Sequence, residues 1–383
     1  MKKIAYISSP HFADCDIPLL KELQQLTNVI YILQVSNSTK SMSAINIQQI
    51  KSTGGIFHAS EFKGTKKLAQ YLDLSKVYIL NFPGKHDWSL SNILAIIRFV
   101  YFLIRKKIDI IHLTWPPRYG AFLIYTLYKK IILTVHDPLP HSGQDTWLNR
   151  LHRFVAFSLI KNFILLNKSQ KQEFISKYNL RNKNIYHSQL SIYAHLLAVS
   201  PSSPIIESDY FLFFGKIDKY KGLYYLCKAM EIIHTKNKDI KLIIAGKGKT
   251  DFDISPYLAT NSIFFINRYI TDEELVGLIK KAQFVVCPYI DATQSGVIMS
   301  SFALNKPVIA THTGGLPEMV IDKRYGLIIP PKDEIALANA ISTLWNDKSL
   351  LSALATNIEN DYKRGRNSWL SIAKDINNIY EYI

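Results

Sequence analysis

Two successive series of short β-type runs, with segments of helical period between them, constrain this chain more than any other feature. In the first half, "KIAYIS", "VIYILQV", "GIFHA", "VYILNF", "IDIIHLT", "IILTVHD" and "FILLN" are rich in β-branched and aromatic residues, and helical segments such as "IPLLKELQQL" and "SQKQEFISKY" separate several of them. Such alternation predicts a parallel sheet covered on both faces, because each parallel connection needs a crossover that packs back on the sheet. "SPSSPIIESD", Ser200 to Asp209, then breaks the pattern with two prolines and four serines, the composition of a linker. The alternation restarts with "YFLFFGK", "IKLIIAGKG", "SIFFINR", "FVVCPY", "KPVIATH" and "YGLIIPP". The expectation is an α/β chain of two doubly wound domains, residues 1–199 and 210–365, joined by 200–209. An amphipathic helix follows over 366–383, its return to the first domain left open. A length of 383 residues agrees, since a single core stops growing at roughly 250–300. Ligands of open α/β sheets bind at the carboxyl ends of strands, so two such domains facing each other would put the site in a central cleft.

Charge narrows the partner. Lys and Arg number 46 against 30 Asp and Glu, a formal net charge of +16, which calls for nucleic acid, anionic lipid or a phosphorylated ligand. No nucleic-acid module or basic-aromatic platform is present, so nucleic acid is set aside. The three cysteines, Cys15, Cys227 and Cys287, lack metal-ligand spacing and sit in or beside apolar runs; they read as core residues of a protein from a reducing, cytoplasmic compartment. "MKKIAYISSPHF" reads as a first strand, not a signal peptide. The longest apolar segment is cut by Arg98, Arg105, Lys106 and Lys107 and falls short of the ~20 uncharged residues that span a bilayer. It is expected to form a helix over about Leu90 to Lys107. With "WLNRLHRFVAFSLIKN" it offers either an ordinary sheet-covering surface or a peripheral contact with an anionic membrane.

The second half concentrates the chemistry. In "FFGKIDKYKGL", Gly215 and Lys216 end a strand while Lys221 and Gly222 precede a helix, so backbone can approach a ligand and two cations can reach one anion. "IIAGKGKTD" lacks the spacing of a phosphate loop and reads as a plain turn. In "DATQSGVIMSSFALNKPVIATHTGGLPEMV", Thr293, Gln294, Ser295 and Gly296 lie just before an apolar helix. The first amides of that helix, at Gly296, Val297 and Ile298, carry the positive end of its dipole and suit a diphosphate. Thr293 or Ser295 capping the helix is compatible with that role.

These segments, in this order, resemble the retaining GT-B glycosyltransferases of the large family 4, the glycosyltransferase group 1 type. "GKIDKYKGL", "LIIAGKG", "INRYITDEELVGLIKKAQFVVCPY" and "SGVIMSSFALNKPVIATHTGGLPEMV" carry the likeness through the second domain; in the first it rests chiefly on "KKIILTVHDP". The resemblance implies two Rossmann-like domains and a nucleotide-sugar donor. It further implies transfer with retention to a glycan or lipid-linked acceptor of cell-envelope polysaccharide, and no metal or other cofactor. Position by position, it implies that Lys216 and Lys221 bind the donor diphosphate, that Arg268 and Tyr269 pass the base, and that Gly296 to Ile298 meet the phosphates. His136 corresponds to the histidine that contacts the sugar. One departure is plain: the two glutamates usual in the family fall at Ala292 and Ser300. Ser300 can still hydrogen-bond a ribose hydroxyl, and Asp291 or Gln294 can reach the sugar. The alternative is a non-catalytic subunit that binds nucleotide or glycan.

On the acceptor side, Asp14 and Asp16 form an Asp-x-Asp pattern after the first strand, where Asp16 is expected to cap a helix rather than hold a metal. His112 and Trp115 in "IIHLTWPP" could line an acceptor pocket or pack in the core. His141 is a loop histidine, expected to be solvated.

Overall fold

The computed structural model describes residues 1–42, 45–47, 49–86, 89–116, 124, 128–138, 147–203 and 206–383. Backbone contacts divide the chain into two compact units: Met1–Leu190 together with Trp369–Ile383, and Ser191–Ser368.

The strands of the first unit are β1 (Lys3–Ser8), β2 (Asn28–Ser36), β3 (Ser41–Met42), β4 (Ile45–Asn46), β5 (Gly55–His58), β6 (Val77–Phe82), β7 (Ile110–Leu113), β8 (Ile131–Val135), β9 (Asn162–Leu165) and β10 (Asn184–His187). Eight of them form one sheet in the order β10-β9-β8-β7-β1-β2-β6-β5, while β3 and β4 make a separate antiparallel pair. The sheet is parallel except at its edge, where β5 runs antiparallel to β6. That edge departs from the parallel sheet expected from the alternation: "GIFHA" returns to its neighbour without a crossover helix.

Side chains alternate between the faces of a strand. Ala5 and Ile7 of β1, with Ile111 and Leu113 of β7, join a core that also takes Ala95, Phe99 and Leu103 of the helix Leu90–Arg105, and Ala156 and Phe157 of the helix Trp147–Leu159. Tyr6 and His112 therefore point to the opposite face, which is covered by α1 (Ala13–Leu26) and the C-terminal helix Trp369–Tyr382, two elements in extensive mutual contact. The first helix of the other face is α2 (Leu90–Arg105), followed by α3 (Trp147–Leu159) and α4 (Lys171–Tyr178).

In the second unit, β11 (Phe211–Phe214), β12 (Leu242–Ala245), β13 (Ile263–Ile266), β14 (Val285–Cys287), β15 (Val308–Thr311) and β16 (Gly326–Ile329) form a wholly parallel sheet in the order β13-β12-β11-β14-β15-β16. Strands as apolar as "FLFF", "LIIA" and "VIAT" are buried along their whole length, the signature of a sheet with both faces covered. Its helices include α5 (Leu223–Lys236), α6 (Asp272–Lys281), α7 (Gly296–Ala303), α8 (Glu334–Asn346) and α9 (Lys348–Glu359); the C-terminal helix becomes α10 (Trp369–Tyr382).

Each sheet reverses its strand order once near the middle. The reversal falls between β1 and β7 in the first unit and between β11 and β14 in the second. A crevice opens at the carboxyl ends of strands at such a switch point. All three cysteines are buried and none is in a disulfide. Among the described residues, no helix is long and apolar enough to cross a membrane.

Candidate functional site

The β11/β14 switch point gathers the second unit's candidates. Gly215 leaves β11 at φ +113, a conformation L side chains rarely adopt, and a Cβ there would stand 3.3 Å from Val297 Cγ2. The loop after β11 is thus packed against the start of α7. Gly222, at φ +69, opens α5 so close to the end of β14 that a Cβ would meet the Pro288 carbonyl oxygen at 1.8 Å. The Ile290 N–H donates to the Tyr220 carbonyl at 2.7 Å and locks the same junction.

The two lysines of this loop are held differently. Lys221 is half-buried, its Nζ 3.7 Å from the centre of the Tyr289 ring and 5.0 Å from that of Tyr220. Burial pulls its amine down to about 8, partly offset by Cys287 and Asp218. Lys216 reaches into solvent and donates to Asp218 Oδ2 at 2.6 Å; that hydrogen bond raises the lysine and lowers the carboxylate. Tyr289 continues to α7: its Oη lies 3.3 Å from Ser295 Oγ. Ser295 is the N-cap residue of α7 but its side chain makes no capping bond.

At the helix start, the Ile298 N–H turns back to the Ser295 carbonyl at 3.2 Å. This differs from the expectation of three donors aimed at phosphate: a tight first turn uses the third. Among the described backbone hydrogen bonds, none uses the N–H of Gly296 or Val297, the two orphan donors at the positive end of the helix dipole. A Cβ on Gly296 would fall 2.7 Å from Tyr193 Oη, so glycine fits where an alanine would press on that ring. Gln294 is half-buried beside this turn; Ala292 and Ser300, where the two family glutamates would fall, are each 5% exposed.

Arg268 and Tyr269 follow β13. The Arg268 guanidinium makes a two-pronged bond to Glu274, at 2.9 and 2.6 Å, and Glu274 in turn completes a capping box with Thr271 at the start of α6. Arg268 therefore stabilises its own loop, while the Tyr269 ring is exposed. Asn267 clamps the neighbouring loop, exchanging side-chain bonds of 3.1 Å with both backbone groups of Gly248.

In the first unit, Trp115 and His136 follow β7 and β8. His136 stacks on Phe12 at 4.2 Å, and Phe12 on Trp115 at 6.1 Å. Burial lowers the His136 imidazole to about 4, and its Nε2 has no hydrogen-bond partner among the described residues. A neutral ring with a free nitrogen at a strand's carboxyl end can bond a hydroxyl. His112 is different: its Nδ1 lies 2.5 Å from Tyr380 Oη and its Nε2 2.7 Å from Thr134 Oγ1, in a fully buried setting. Both nitrogens are engaged, and His112 binds β7 to β8 and α10.

Asp16 corrects another expectation. α1 begins at Ala13 with Phe12 as its N-cap residue, so Asp16 lies inside the helix and caps nothing. Its buried carboxylate accepts from Tyr6 Oη at 2.6 Å and from Ser8 Oγ, which itself accepts from Thr114 Oγ1 at 3.0 Å. Burial raises this carboxyl to about 7 against the pull of those two donors. Asp14 is half-buried two residues earlier in α1. Among the described residues no group of three His, Cys, Asp or Glu could hold a metal ion. His141 lies outside the described residues.

Sequence reading missed Tyr289, Asn267, Tyr193 and Asp218. For Tyr289 the available signal was its place directly after a central strand, and for Asp218 its place between two lysines. Nothing local marked Tyr193 or Asn267.

The family model described as Glycosyl transferases group 1 matches residues 208–347, within the second unit. Two relatives are the uncharacterized glycosyltransferase MJ1607 of Methanocaldococcus jannaschii, 28% identical over 44% of each chain, and the O-antigen chain mannosyltransferase C of Escherichia coli, 24% identical over 63% of each. The chain thus matches less than two thirds of the length of either. Among solved structures, Anabaena Alr3699/HepE in complex with UDP-glucose aligns over 100% of both chains with a TM-score of 0.67 at 16% identity. Residues 208–347 are thus similar to the group 1 glycosyl transferases, and the chain has the GT-B fold of two Rossmann-like domains.

Proposed function

We propose that this protein transfers a hexosyl group from a nucleoside diphosphate sugar to a hydroxyl of a glycan or lipid-linked acceptor in cell-envelope polysaccharide synthesis. The observation that carries the reading is the convergence, at the β11/β14 switch point, of the Lys221 amine, the Tyr289–Ser295 pair and the unengaged amides of Gly296 and Val297. Such a set suits a diphosphate, and UDP-glucose in Anabaena HepE supports that class of donor. The name of the E. coli relative supports an envelope glycan as product.

In this reading Lys221, and Lys216 once released from Asp218, stabilise negative charge as it grows on the departing diphosphate. The Gly296 and Val297 amides hold the phosphates, Gly215 lets them approach backbone, and Arg268 and Tyr269 form the loop passed by the base. His136, neutral at pH 7, is assigned to a hydroxyl of the transferred sugar. Ser300 takes the ribose and Gln294 the sugar, in place of the missing acids. Asp14, Asp16 and Trp115 belong to the acceptor side, with His112 supporting them from beneath. Transfer proceeds with retention and without a metal ion, and the protein works in the cytoplasm. A panel of UDP-, GDP- and ADP-sugars tests the reading by thermal stabilisation and donor hydrolysis: one base should raise Tm selectively and its sugar be released. No stabilisation by any member of the panel would overturn it.

A second reading, a non-catalytic nucleotide- or glycan-binding subunit, is favoured by one observation. Both acid positions are filled by small, buried residues, Ala292 and Ser300. Selective stabilisation without hydrolysis or transfer would select it.

A further inference from the structure

α2 is apolar on two opposite sides. Ala95, Ile96, Phe99 and Leu103 are buried against the first sheet. Leu90, Leu94, Ile97, Tyr101 and Ile104 recur at alternating steps of four and three, which aligns them as one stripe on the far side. That stripe is open: Leu90, Tyr101 and Ile104 remain 73%, 64% and 61% exposed. α3, which packs Ala156 and Phe157 into the same core, repeats the pattern with Trp147 and Phe154 at 74% and 66% and Leu151 between them. A helix apolar all round belongs in a core or against hydrocarbon, and a contiguous exposed apolar patch marks an interaction surface.

Charge decides the partner. Neither 90–107 nor 147–161 contains an Asp or Glu; the first carries Arg98, Arg105, Lys106 and Lys107, the second Arg150, Arg153 and Lys161. Arg98 is tied to the Gly54 carbonyl and Lys106 to Tyr78 Oη, but Arg105, Lys107 and Lys129 stand exposed. Beyond the end of α2, Leu103, Ile104, Ile108 and Ile111 floor a pocket with Lys107, Lys130 and Asp109 at its rim. Lys130 donates there to the Ile108 carbonyl, and Asp109 accepts the Lys3 amide. The pocket continues the stripe through Ile104.

We propose that the outer faces of α2 and α3 dock this protein on an anionic lipid bilayer. Aromatic and aliphatic side chains enter the boundary between headgroups and acyl chains, and the flanking Arg and Lys meet lipid phosphates. Long basic side chains reach that level while their stems stay in apolar surroundings. The docking requires no donor or acceptor, so its test is independent of the transfer reaction.

Flotation of the full chain with vesicles of phosphatidylcholine alone, or with phosphatidylglycerol added, reads the proposal directly. Binding is expected with the anionic vesicles, weakened but not abolished by raised salt. Ile97→Ser/Tyr101→Ser/Ile104→Ser should reduce partitioning by roughly tenfold or more while leaving the melting curve of a fully folded protein. Ile335→Ser, an exposed apolar residue of the other unit, should change nothing. Absence of binding, equal binding to both vesicle types, or parent-like binding by the folded triple variant would overturn the proposal. A concentration-dependent dimer that the triple variant abolishes, without vesicle binding, would assign the face to a second copy instead.

Discussion

Lys216 and Lys221 share one loop but start from different electrostatic states, and that difference orders their expected contributions. Lys221 is half-buried and unpaired with a carboxylate, so a diphosphate gains its full charge; Lys221→Ala should cost ~3 kcal/mol of transition-state stabilisation, about a hundredfold in kcat. Lys216 must exchange Asp218 for the ligand, and Lys216→Ala should cost less than Lys221→Ala. Parent-like kcat in folded Lys221→Ala would remove it from the leaving group. Because burial lowers Lys221 to about 8, nucleoside diphosphate affinity should fall as pH rises through 8, as the ammonium is lost. Calorimetric titration from pH 6.5 to 9.5 reads this, and Lys221→Arg should remove the decline. Asp16 links pH to folding rather than to binding, and in the same direction. Its folded pKa of about 7 lies above the unfolded value of 3.8, so its contribution is complete below that lower value and is lost as pH rises through 7. His112 and His136, lowered by burial to about 3 and 4, act in the other direction as pH falls below 6.5. The difference between the parent and Asp16→Asn in urea unfolding, compared at pH 5.5 and 8.5, isolates the carboxyl. Asp16 was legible as a polar residue near a helix start, but its true partners come from β1 and are invisible to a local reading.

The start of α7 allows a clean test at the level of an element. Gly296→Ala and Gly296→Pro both place a Cβ against Tyr193, but only proline also removes the N–H. Pro is sterically tolerated at a first helical position, so the gap between the two variants reports the hydrogen bond from this amide to the ligand. A gap of ~1.5–3 kcal/mol, tenfold or more in Kd, is expected for a bond to a charged phosphate. Equal affinities would show that this amide does not hold the ligand. The elements themselves were largely legible. Runs such as "FLFF", "LIIA" and "VIAT" are too apolar and too short for anything but covered parallel strands, and periodic segments such as 272–281 announced their helices through an acidic first turn and a basic last one. The antiparallel β5 was not legible, because strand direction depends on where the chain turns back and its residues read like any other strand. The convergence of Tyr289, Ser295 and Lys221 was hidden for a similar reason: two distant segments, after β11 and after β14, meet only once those strands become neighbours.

For the molecule as a whole, the C-terminal helix α10 is a structural member of the first unit. His112, buried and neutral, depends on Tyr380 Oη for one of its two bonds, and Lys2 Nζ donates to the Tyr380 carbonyl at 2.8 Å. Tyr380→Phe should therefore destabilise the first unit by ~1–3 kcal/mol, the cost of a buried polar atom left without its partner, read as a lower urea midpoint with an unchanged slope. A folded variant with the parent's midpoint would mean that this bond adds nothing. The two passages between units are tied together, since Ser191 Oγ donates to the Asn367 carbonyl at 2.6 Å. Hydrophobic patterning announced α10 as an amphipathic helix, but its destination depended on which apolar surface was left uncovered, a property of the folded first sheet alone.

The discontinuity of the first unit bears on how the chain matures. Synthesis from the N-terminus delivers every described strand of that unit before any of the second, yet α10, which shares with α1 the covering of Tyr6 and His112, is made after the second unit. Until then one face of an eight-stranded sheet lacks α10, with its apolar and polar groups open to solvent and to other nascent chains. The second unit has no such debt, because its sheet is drawn from one continuous stretch of chain. The ribosome thus meets the units in one order and completes them in the other, and a chain released early would carry a finished second unit behind an unfinished first.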